Sequence, residues 1–269
     1  MAKSKKRKLI AANKVTKHPD RPAKASKPAQ RTEPTIPFSP EDCILLIGEG
    51  DFSFARSIVE HHGCSNIAAT SLDSKDEVLK KYSPQASSHT EYLDSEGQTV
   101  LYNIDATKLA KAKSLNPGKG QRFDRIIFNF PHIGGKSTDQ NRQVRANQEL
   151  LVNFFTSALS LLSAEHGTII VTLFEGEPYT LWNIRDLARH SGLEVERSFK
   201  FLSEAYPGYA HARTLGNIDG GGGWKGERRD ARSFVLRIKG EWSVTARVVG
   251  TGDKRKRKRD ADDDSSDED

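Results

Sequence analysis

The sequence predicts an α/β protein whose seven-stranded, mostly parallel sheet is covered by helices on both faces and has an antiparallel last strand. Short apolar runs, typical of strands buried on both faces, alternate with amphipathic stretches along the middle of the chain. The first run ends in a glycine turn at Gly48–Gly50 that leads into a helix-compatible stretch. The last run follows a long stretch, 205–230, rich in Gly, Tyr and charge. Because no helix precedes this last strand, we expect it to form an antiparallel hairpin with strand six.

Each predicted strand is an apolar run bounded by Gly, Pro or polar residues. The seven runs are Cys43–Ile47, Ile67–Leu72, Val100–Ile104, Arg125–Phe130, Thr168–Phe174, Leu193–Phe199 and Ser233–Ile238. The clearest helix has apolar side chains at spacings of three and four residues from Leu150 to Leu162, and Gly167 follows it. The other predicted helices are Phe54–His62, Asp76–Tyr82, Lys108–Ser114 and Leu181–His190. This alternation predicts a Rossmann-like fold.

Charge is concentrated at the two ends of the chain, whose net charge is +6. Residues 1–32 hold eleven Lys and Arg and a single acid, residues 254–259 are an unbroken Lys-Arg run, and seven of the last ten residues are acidic. We therefore expect a disordered basic arm over 1–37, a folded domain over 38–249 and a disordered basic-then-acidic tail over 250–269. Basic segments suit a partner rich in phosphates because each neutralised phosphate releases counterions, and they are equally typical of nuclear or nucleolar import signals.

Cysteine content and hydropathy make several classes of protein improbable. Cys43 and Cys64 are too few for a disulfide scaffold or a zinc site, so no metal is expected. No apolar stretch approaches the length that crosses a bilayer, and the N-terminus lacks the hydrophobic region of a signal peptide. The sequence therefore predicts a soluble protein in a reducing compartment, without a membrane partner, and it does not indicate the oligomeric state.

The turn after strand one is typical of a nucleotide-like cofactor site. Glycines there allow the backbone to approach a ligand closely at the start of the following helix. The candidate cofactor-binding residues in this turn are Gly48, Glu49, Gly50, Asp51, Phe52 and Ser53. A dinucleotide fingerprint requires a third glycine where Ser53 stands, so that pattern is incomplete.

Acidic residues follow the next two strands. Asp73, after strand two, is placed to bind both ribose hydroxyls, a feature that NAD and S-adenosyl-L-methionine sites share. Asp105, followed by Ala106 after strand three, suits the exocyclic amine of an adenine. Either aspartate could instead cap the helix that follows it.

The turn after strand four separates these two cofactors. It reads Asn129-Phe130-Pro131-His132, where amino- and base-methylating enzymes place an Asn/Asp-Pro-Pro-aromatic turn that presents the target nitrogen. No Tyr-x-x-x-Lys pair or other hydride-transfer motif is present. The four features, in order at successive strand ends, favour a class I methyltransferase. An NAD-dependent oxidoreductase and a non-catalytic cofactor-binding ribosome-assembly factor remain alternatives.

At these positions the chain resembles the 25S ribosomal RNA uridine-N3 methyltransferase family, from about Cys43 to Ile238. The segments that carry the resemblance are Leu46–Phe54, Ala69–Asp73, Phe123–His132, Asn147–Leu151, Gly176–Ile184 and Tyr206–Arg213. The resemblance implies S-adenosyl-L-methionine as the methyl donor, a uridine of large-subunit ribosomal RNA as the acceptor, and a nucleolar location. The Gly220–Gly223 run departs from the pattern.

The strand-four turn supplies the candidate catalytic residues. Transfer to N3 of uracil requires the N3 proton to leave, and His132 could accept it, or could hydrogen-bond a uracil carbonyl without proton transfer. Asn129 could hold the base or the methionine part of the cofactor, and Phe130 could stack on the uracil.

Two later segments supply candidate substrate-binding residues. Glu177 and Tyr179 follow strand five, where a structural role beside Trp182 is equally compatible. Tyr206, Tyr209, His211 and Arg213 interleave aromatics with cations, as a platform for single-stranded RNA does, although a packed loop with Tyr206 and Pro207 buried would have the same composition. Arg228, Arg229 and Arg232 could contact phosphates or lie on a solvated face.

Overall fold

The computed structural model describes residues 33–115, 122–134, 139–217 and 226–240. The basic arm up to residue 32, the Gly220–Gly223 run and the tail from residue 241 lie outside the described residues. The strands are β1 (Ile44–Ile47), β2 (Ile67–Thr70), β3 (Thr99–Leu101), β4 (Arg125–Asn129), β5 (Thr168–Phe174), β6 (Leu193–Phe201) and β7 (Ala231–Ile238). They form one seven-stranded sheet in the order β3-β2-β1-β4-β5-β7-β6.

The pairing of the strands confirms the predicted fold class. β1 to β5 pair in parallel, while β7 lies between β5 and β6 and is antiparallel to both. β3 is shorter than predicted: the chain leaves the sheet after Leu101, and Asn103 adopts a left-handed conformation with φ 57°. The backbone N–H of Ile104 then donates to the carbonyl of Ser71, 3.0 Å away, which keeps this segment beside the end of β2.

Five α-helices cover the sheet in the described part of the chain: α1 (Ser53–His62), α2 (Lys75–Lys81), α3 (Gln85–Ser95), α4 (Gln140–Leu159) and α5 (Ile184–His190). The predicted helix Lys108–Ser114 is instead two 3₁₀ segments, Ala106–Lys111 and Lys113–Leu115. The predicted helix Leu181–His190 is interrupted at Asn183, whose φ of 51° separates a 3₁₀ turn, Tyr179–Trp182, from α5. α3 was not predicted, because Ala86 and Leu93 are its only buried side chains and its sequence has no apolar stripe.

Apolar side chains pack on both faces of the sheet. Successive β1 residues alternate between two core clusters, with Leu45 in one and Leu46 in the other, as the two-residue period of a strand requires. α4 covers one face with Phe154 and Phe155, and α1 covers the other with Ile58. Two covered faces explain why the strand sequences are continuous apolar runs.

The strand order also determines where a crevice opens. β1 has β2 on one side and β4 on the other, so the chain reverses its direction of progress between β1 and β4. In open α/β sheets, ligands bind outside the carboxyl ends of the strands at such a point. Among the described residues, no helix is both long enough and apolar enough to span a membrane.

Candidate active site

A cavity of about 540 Å³ opens at the carboxyl ends of β1, β2 and β4, a volume in the usual range for small-molecule sites. Most of the predicted site residues line it: Gly48, Glu49, Gly50, Asp51, Ser53, Asp73, Asp105, Ala106, Asn129, Phe130, His132, Tyr179, Tyr209, His211 and Arg213. One cavity therefore joins the strand-one turn, both aspartates, the strand-four turn and the late loop, which we define as residues 206–217.

Four predicted site residues do not line the cavity. Phe52 and Pro131 are buried, and Glu177 is exposed. Tyr206 is 4% exposed and packs with its ring centroid 4.8 Å from that of Phe54. For Tyr206, the packed-loop alternative therefore describes the structure better than an RNA platform does, although Pro207 beside it is exposed.

The glycines of the glycine turn (residues 48–52) are required by close contacts as well as by backbone conformation. Gly48 has φ +68°, and a Cβ there would lie 2.7 Å from the Phe128 ring. A Cβ on Gly50 would lie 2.8 Å from the Cβ of Ala212 in the late loop. Real Cβ atoms do not approach so closely, so larger side chains at either position would displace β4 or the late loop.

Two carboxylates occupy the N-terminus of α1. Asp51 Oδ1 accepts from the backbone N–H of Ser53 at 3.0 Å, and Glu49 Oε2 accepts from that of Ala55 at 3.2 Å. A helix N-terminus ordinarily offers such N–H groups to phosphates. Here two acidic side chains already occupy such N–H groups, and the charge of Asp51 would oppose a pyrophosphate and attract a positively charged group. The arrangement thus disfavours NAD and suits a cationic cofactor.

Glu49 is the most strongly perturbed acid of the cavity. Burial raises the pKa of Glu49 to about 8, the hydrogen bond from Ala55 opposes this, and the neighbouring charge of Asp51 raises it further. Glu49 is therefore largely protonated at neutral pH in the cavity without a bound cation.

The two aspartates after β2 and β3 have different partners. Both oxygens of Asp73 accept from Nζ of Lys81, each at 2.7 Å. Asp105 Oδ1 accepts from the backbone N–H of Thr107 at 2.9 Å and Oδ2 from Nζ of Lys108 at 2.9 Å, so Asp105 does cap the segment that follows it. Burial raises the pKa of Asp105, but the hydrogen bonds from Lys108 and Thr107 outweigh it and leave the pKa below its usual value.

The turn after β4 (residues 129–134, the β4 turn) is fixed by backbone contacts. Phe130 has φ 52°, and its N–H donates to the carbonyl of Thr172 in β5 at 2.8 Å. The N–H of Ile133 donates to Oδ1 of Asn147 at 3.1 Å, and Nδ2 of Asn147 donates to the carbonyl of Gln143 at 2.9 Å. Asn147, 2% exposed on α4, therefore ties the β4 turn to the helix. Sequence reasoning gave it no role, because its partner Ile133 lies on a separate segment of the chain.

His132 sits on the same turn. Its Nδ1 accepts from the backbone N–H of Gly134 at 2.9 Å, and its ring centroid lies 6.4 Å from that of Trp182. Partial burial lowers the pKa of His132 below the ordinary histidine value, so the ring is neutral at neutral pH.

Hydrogen bonds tie the late loop to the start of α1 and to the end of α2. Ser53 Oγ lies 3.2 Å from both the N and the O of Ala210, and Tyr82 Oη donates to the carbonyl of Arg213 at 2.9 Å. The N–H of Asn217 donates to the carbonyl of Lys81 at 2.7 Å. These contacts make the late loop a wall of the cavity, and sequence reasoning did not identify the role of Tyr82.

Aromatic side chains from four segments form another part of the cavity lining, which we call the aromatic wall: Phe130, Phe174, Tyr179 and His211. The Phe130 ring centroid lies 4.4 Å from that of Phe174 and 4.6 Å from that of His211. The guanidinium of Arg229 lies over the Phe174 ring, 4.2 Å from its centroid. Burial is the main reason that the pKa of His211 falls to about 4.

The other two arginines of this region behave differently. Arg232 pairs with Glu175 at 2.7 Å, which accounts for its position without an RNA phosphate. Arg228 is exposed, as a phosphate contact or a solvated face would both allow. Among the described residues, no group of three His, Cys, Asp or Glu side chains could hold a metal ion.

The fold and the cavity together define a class I methyltransferase. The seven strands have the order and the single antiparallel insertion of that class, and the glycine turn, the two aspartates and the β4 turn line one cavity. The sequence model of a family described as rRNA (uridine-N3-)-methyltransferase BTM5-like matches residues 45–213, more than half of the chain. The chain belongs to this family.

Curated relatives agree with the family assignment. The 25S rRNA (uridine(2634)-N(3))-methyltransferase of Saccharomyces cerevisiae is 34% identical over 281 aligned residues, which cover 86% of this chain and 80% of the yeast protein. Heavy metal-associated isoprenylated plant protein 41 of Arabidopsis thaliana is 40% identical over 65% of this chain, which spans only 34% of that protein.

Among solved structures, the alignment with TrmN from Thermus thermophilus covers 72% of this chain and 43% of the TrmN chain, at 17% identity and a TM-score of 0.42. The fold is assigned from the strand order of the sheet and not from this comparison.

Proposed function

We propose that this protein transfers a methyl group from S-adenosyl-L-methionine to N3 of a uridine in large-subunit ribosomal RNA. The observation that carries the proposal is the single cavity that joins the acidic glycine turn to the β4 turn and the aromatic wall. Family membership and the name of the yeast relative support the reaction and the kind of acceptor.

The residues on one side of the cavity fit this cofactor. S-adenosyl-L-methionine supplies an electrophilic methyl group on a positively charged sulfur. Asp51, whose charge would repel a pyrophosphate, suits that sulfonium, and a bound cation would favour the ionised form of Glu49 beside it. Asp73 is a candidate for the ribose hydroxyls, and Asp105 with Ala106 for the adenine. Lys81 and Lys108 already hydrogen-bond the two carboxylates and hold them in place.

The other side of the cavity fits a pyrimidine extruded from RNA. The aromatic wall offers ring edges and faces against which a flat base can pack. Asn129 and His132 present polar atoms for the edge of the base, next to the cofactor side. Arg213 and Arg229 are candidates for contacts to the RNA backbone, and the terminal basic segments would add affinity that does not depend on sequence.

The location that we propose is the nucleus, and within it the nucleolus. Basic segments such as residues 254–259 are typical of import signals as well as of RNA contact. Pre-ribosomal particles would then be the partner from which the acceptor RNA is presented.

Two measurements test the proposal. Calorimetry should detect binding of S-adenosyl-L-methionine and none of NAD. Mass spectrometry of nucleosides from large-subunit ribosomal RNA should show 3-methyluridine in cells that have the gene and its loss in cells that lack it. Unchanged 3-methyluridine together with normal cofactor binding would favour a non-catalytic assembly factor and would refute the methyl-transfer proposal.

A further inference from the structure

The hydrogen bond on Nδ1 determines where the His132 ring carries its proton. The donor, the backbone N–H of Gly134, is 2.9 Å away and can only donate. Nδ1 must therefore present its lone pair. A neutral imidazole carries one proton, so in His132 that proton is on Nε2.

The surroundings of His132 favour this neutral form over the charged one. Protonation of Nδ1 would place its N–H against the N–H of Gly134. Burial alone accounts for the lowered pKa of His132, and no charged group among the described residues contributes. The charged and titratable side chains that line the same cavity are Glu49, Asp51, Asp73, Tyr82, Asp105, Tyr179, Tyr209, His211 and Arg213.

A general base needs a ring nitrogen with a free lone pair, and His132 has none: Nε2 carries the proton and Nδ1 is engaged by Gly134. We infer that His132 is a hydrogen-bond donor in catalysis, whose Nε2–H binds a carbonyl oxygen of the uracil and stabilises the anion formed when N3 loses its proton. This inference rests on the proposed function and decides between the two roles that the sequence left open.

The reaction balances without a protein base. The N3 proton goes to water or a buffer base, and the negative charge that remains spreads over N3 and the two carbonyl oxygens of the uracil. The N3 lone pair then forms the new N–C bond while the C–S bond of the donor breaks, its electron pair passing to sulfur. One proton is released per methyl group transferred. A donor aimed at the charged oxygen stabilises this route as an oxyanion hole does.

The β4 turn is built to hold such a donor in place. Ile133 lies between His132 and Gly134 in the chain, and its N–H donates to Oδ1 of Asn147. Gly134 itself has φ +67°, a left-handed conformation, and its N–H donates to the ring two residues earlier. The ring is thus oriented by the backbone of its own turn, so its tautomer is set in the free protein.

The first experiment reads the tautomer directly. Full-length protein labelled with ¹⁵N in its eight histidines is examined by long-range ¹H–¹⁵N correlation at pH 7.5, and the spectrum of His132→Gln assigns the His132 signals. The expected pattern is that of an Nε2-protonated ring. An Nδ1-protonated ring, or rapid averaging of the two forms, would overturn the inference. Because neither RNA nor cofactor is needed, this result is independent of whether the proposed function is right.

The second experiment measures single-turnover methyl transfer at saturating cofactor and RNA between pH 6.5 and 8.5. The wild-type rate should rise about tenfold per pH unit, because the fraction of N3 anion rises with pH. His132→Ala should lower the rate about a hundredfold, whereas His132→Gln, which keeps an N–H donor but cannot act as a base, should lose less than about tenfold. Cofactor affinity by calorimetry verifies that both variants are folded.

A histidine base would give the opposite results. Its pKa is below the ordinary value, so the base form would already predominate in this pH range and the wild-type rate would be nearly flat. His132→Gln would then be as inactive as His132→Ala. A flat profile, or equal losses in the two variants, would refute the donor role.

Discussion

Replacing Asn147 tests whether α4 positions the β4 turn for catalysis. In Asn147→Ala, the N–H of Ile133 loses its acceptor at 3.1 Å and the carbonyl of Gln143 loses a donor at 2.9 Å. Asn147 is 2% exposed, so water does not simply replace the lost amide. Each lost hydrogen bond costs about 0.5–1.5 kcal/mol, so we expect the free energy of unfolding to fall by about 1–3 kcal/mol.

The effect on turnover should be larger than the effect on binding. The β4 turn carries Asn129 and His132, and a misplacement of about 1 Å in a reacting geometry costs on the order of a hundredfold in rate. The cofactor side of the cavity does not contact Asn147, so affinity for S-adenosyl-L-methionine should stay within about twofold of wild type. Urea denaturation, calorimetry and a methyl-transfer assay measure the three quantities.

A matched control lies one residue along the same helix. The amide of Gln148 donates to the carbonyls of Leu181 at 3.2 Å and Trp182 at 3.4 Å, which belong to the 3₁₀ turn and not to the β4 turn. Gln148→Ala should therefore change the free energy of unfolding by less than about 0.5 kcal/mol and leave turnover unchanged. If Asn147→Ala turned over as fast as this control, or if it lost cofactor affinity in proportion to rate, the positioning role would be refuted.

Three further perturbations follow from the cavity. Because the pKa of Glu49 is raised to about 8, its contribution to stability is full below about pH 4.5 and is lost as pH rises through 8. Glu49→Gln should abolish this loss of stability, which denaturation at pH 5 and pH 8.5 would measure. Gly50→Ala should weaken cofactor binding by calorimetry at least tenfold, since its Cβ would lie 2.8 Å from that of Ala212 and push the late loop outward. Arg229→Ala should lower affinity for RNA in a filter-binding assay without changing cofactor affinity, because its guanidinium lies on the aromatic wall. Arg228→Ala, at the exposed neighbouring residue, should lower the affinity for RNA less.

The sequence predicted those elements whose burial produces an apolar pattern within one continuous segment. β5 is buried along nearly its whole length and reads as a continuous apolar run, so its bounds Thr168–Phe174 were predicted correctly. α4 was predicted only from Leu150 because its first turns face solvent and carry no apolar stripe; the helix actually begins at Gln140 after the cap of Asp139. The break at Asn183 depends on a left-handed backbone conformation that apolar periodicity does not report.

The residues of the candidate site also divide into those that could be placed from sequence and those that could not. Residues whose position follows from a strand end, such as Asp73 and Asn129, could be placed from sequence because parallel strands deliver their carboxyl ends to one edge. Tyr82 and Asn147 could not, since each acts through a contact with a segment distant in the chain: Tyr82 with the late loop and Asn147 with the β4 turn. The assignment of the His132 proton likewise needed the position of a backbone N–H.

Strain at both turns of the cavity shows how packing supports the site. Phe52 ends the glycine turn with φ 62°, and Phe130 lies near the start of the β4 turn with φ 52°. This conformation costs a non-glycine residue about 1–3 kcal/mol. Phe52 is fully buried, and the Phe130 ring packs against Phe174 in the aromatic wall, so in each case the ring contributes burial that a glycine could not. The two turns are thus stabilised by buried apolar side chains. The polar groups that we assign to the cofactor and to the uracil are held in place by this rigid apolar layer.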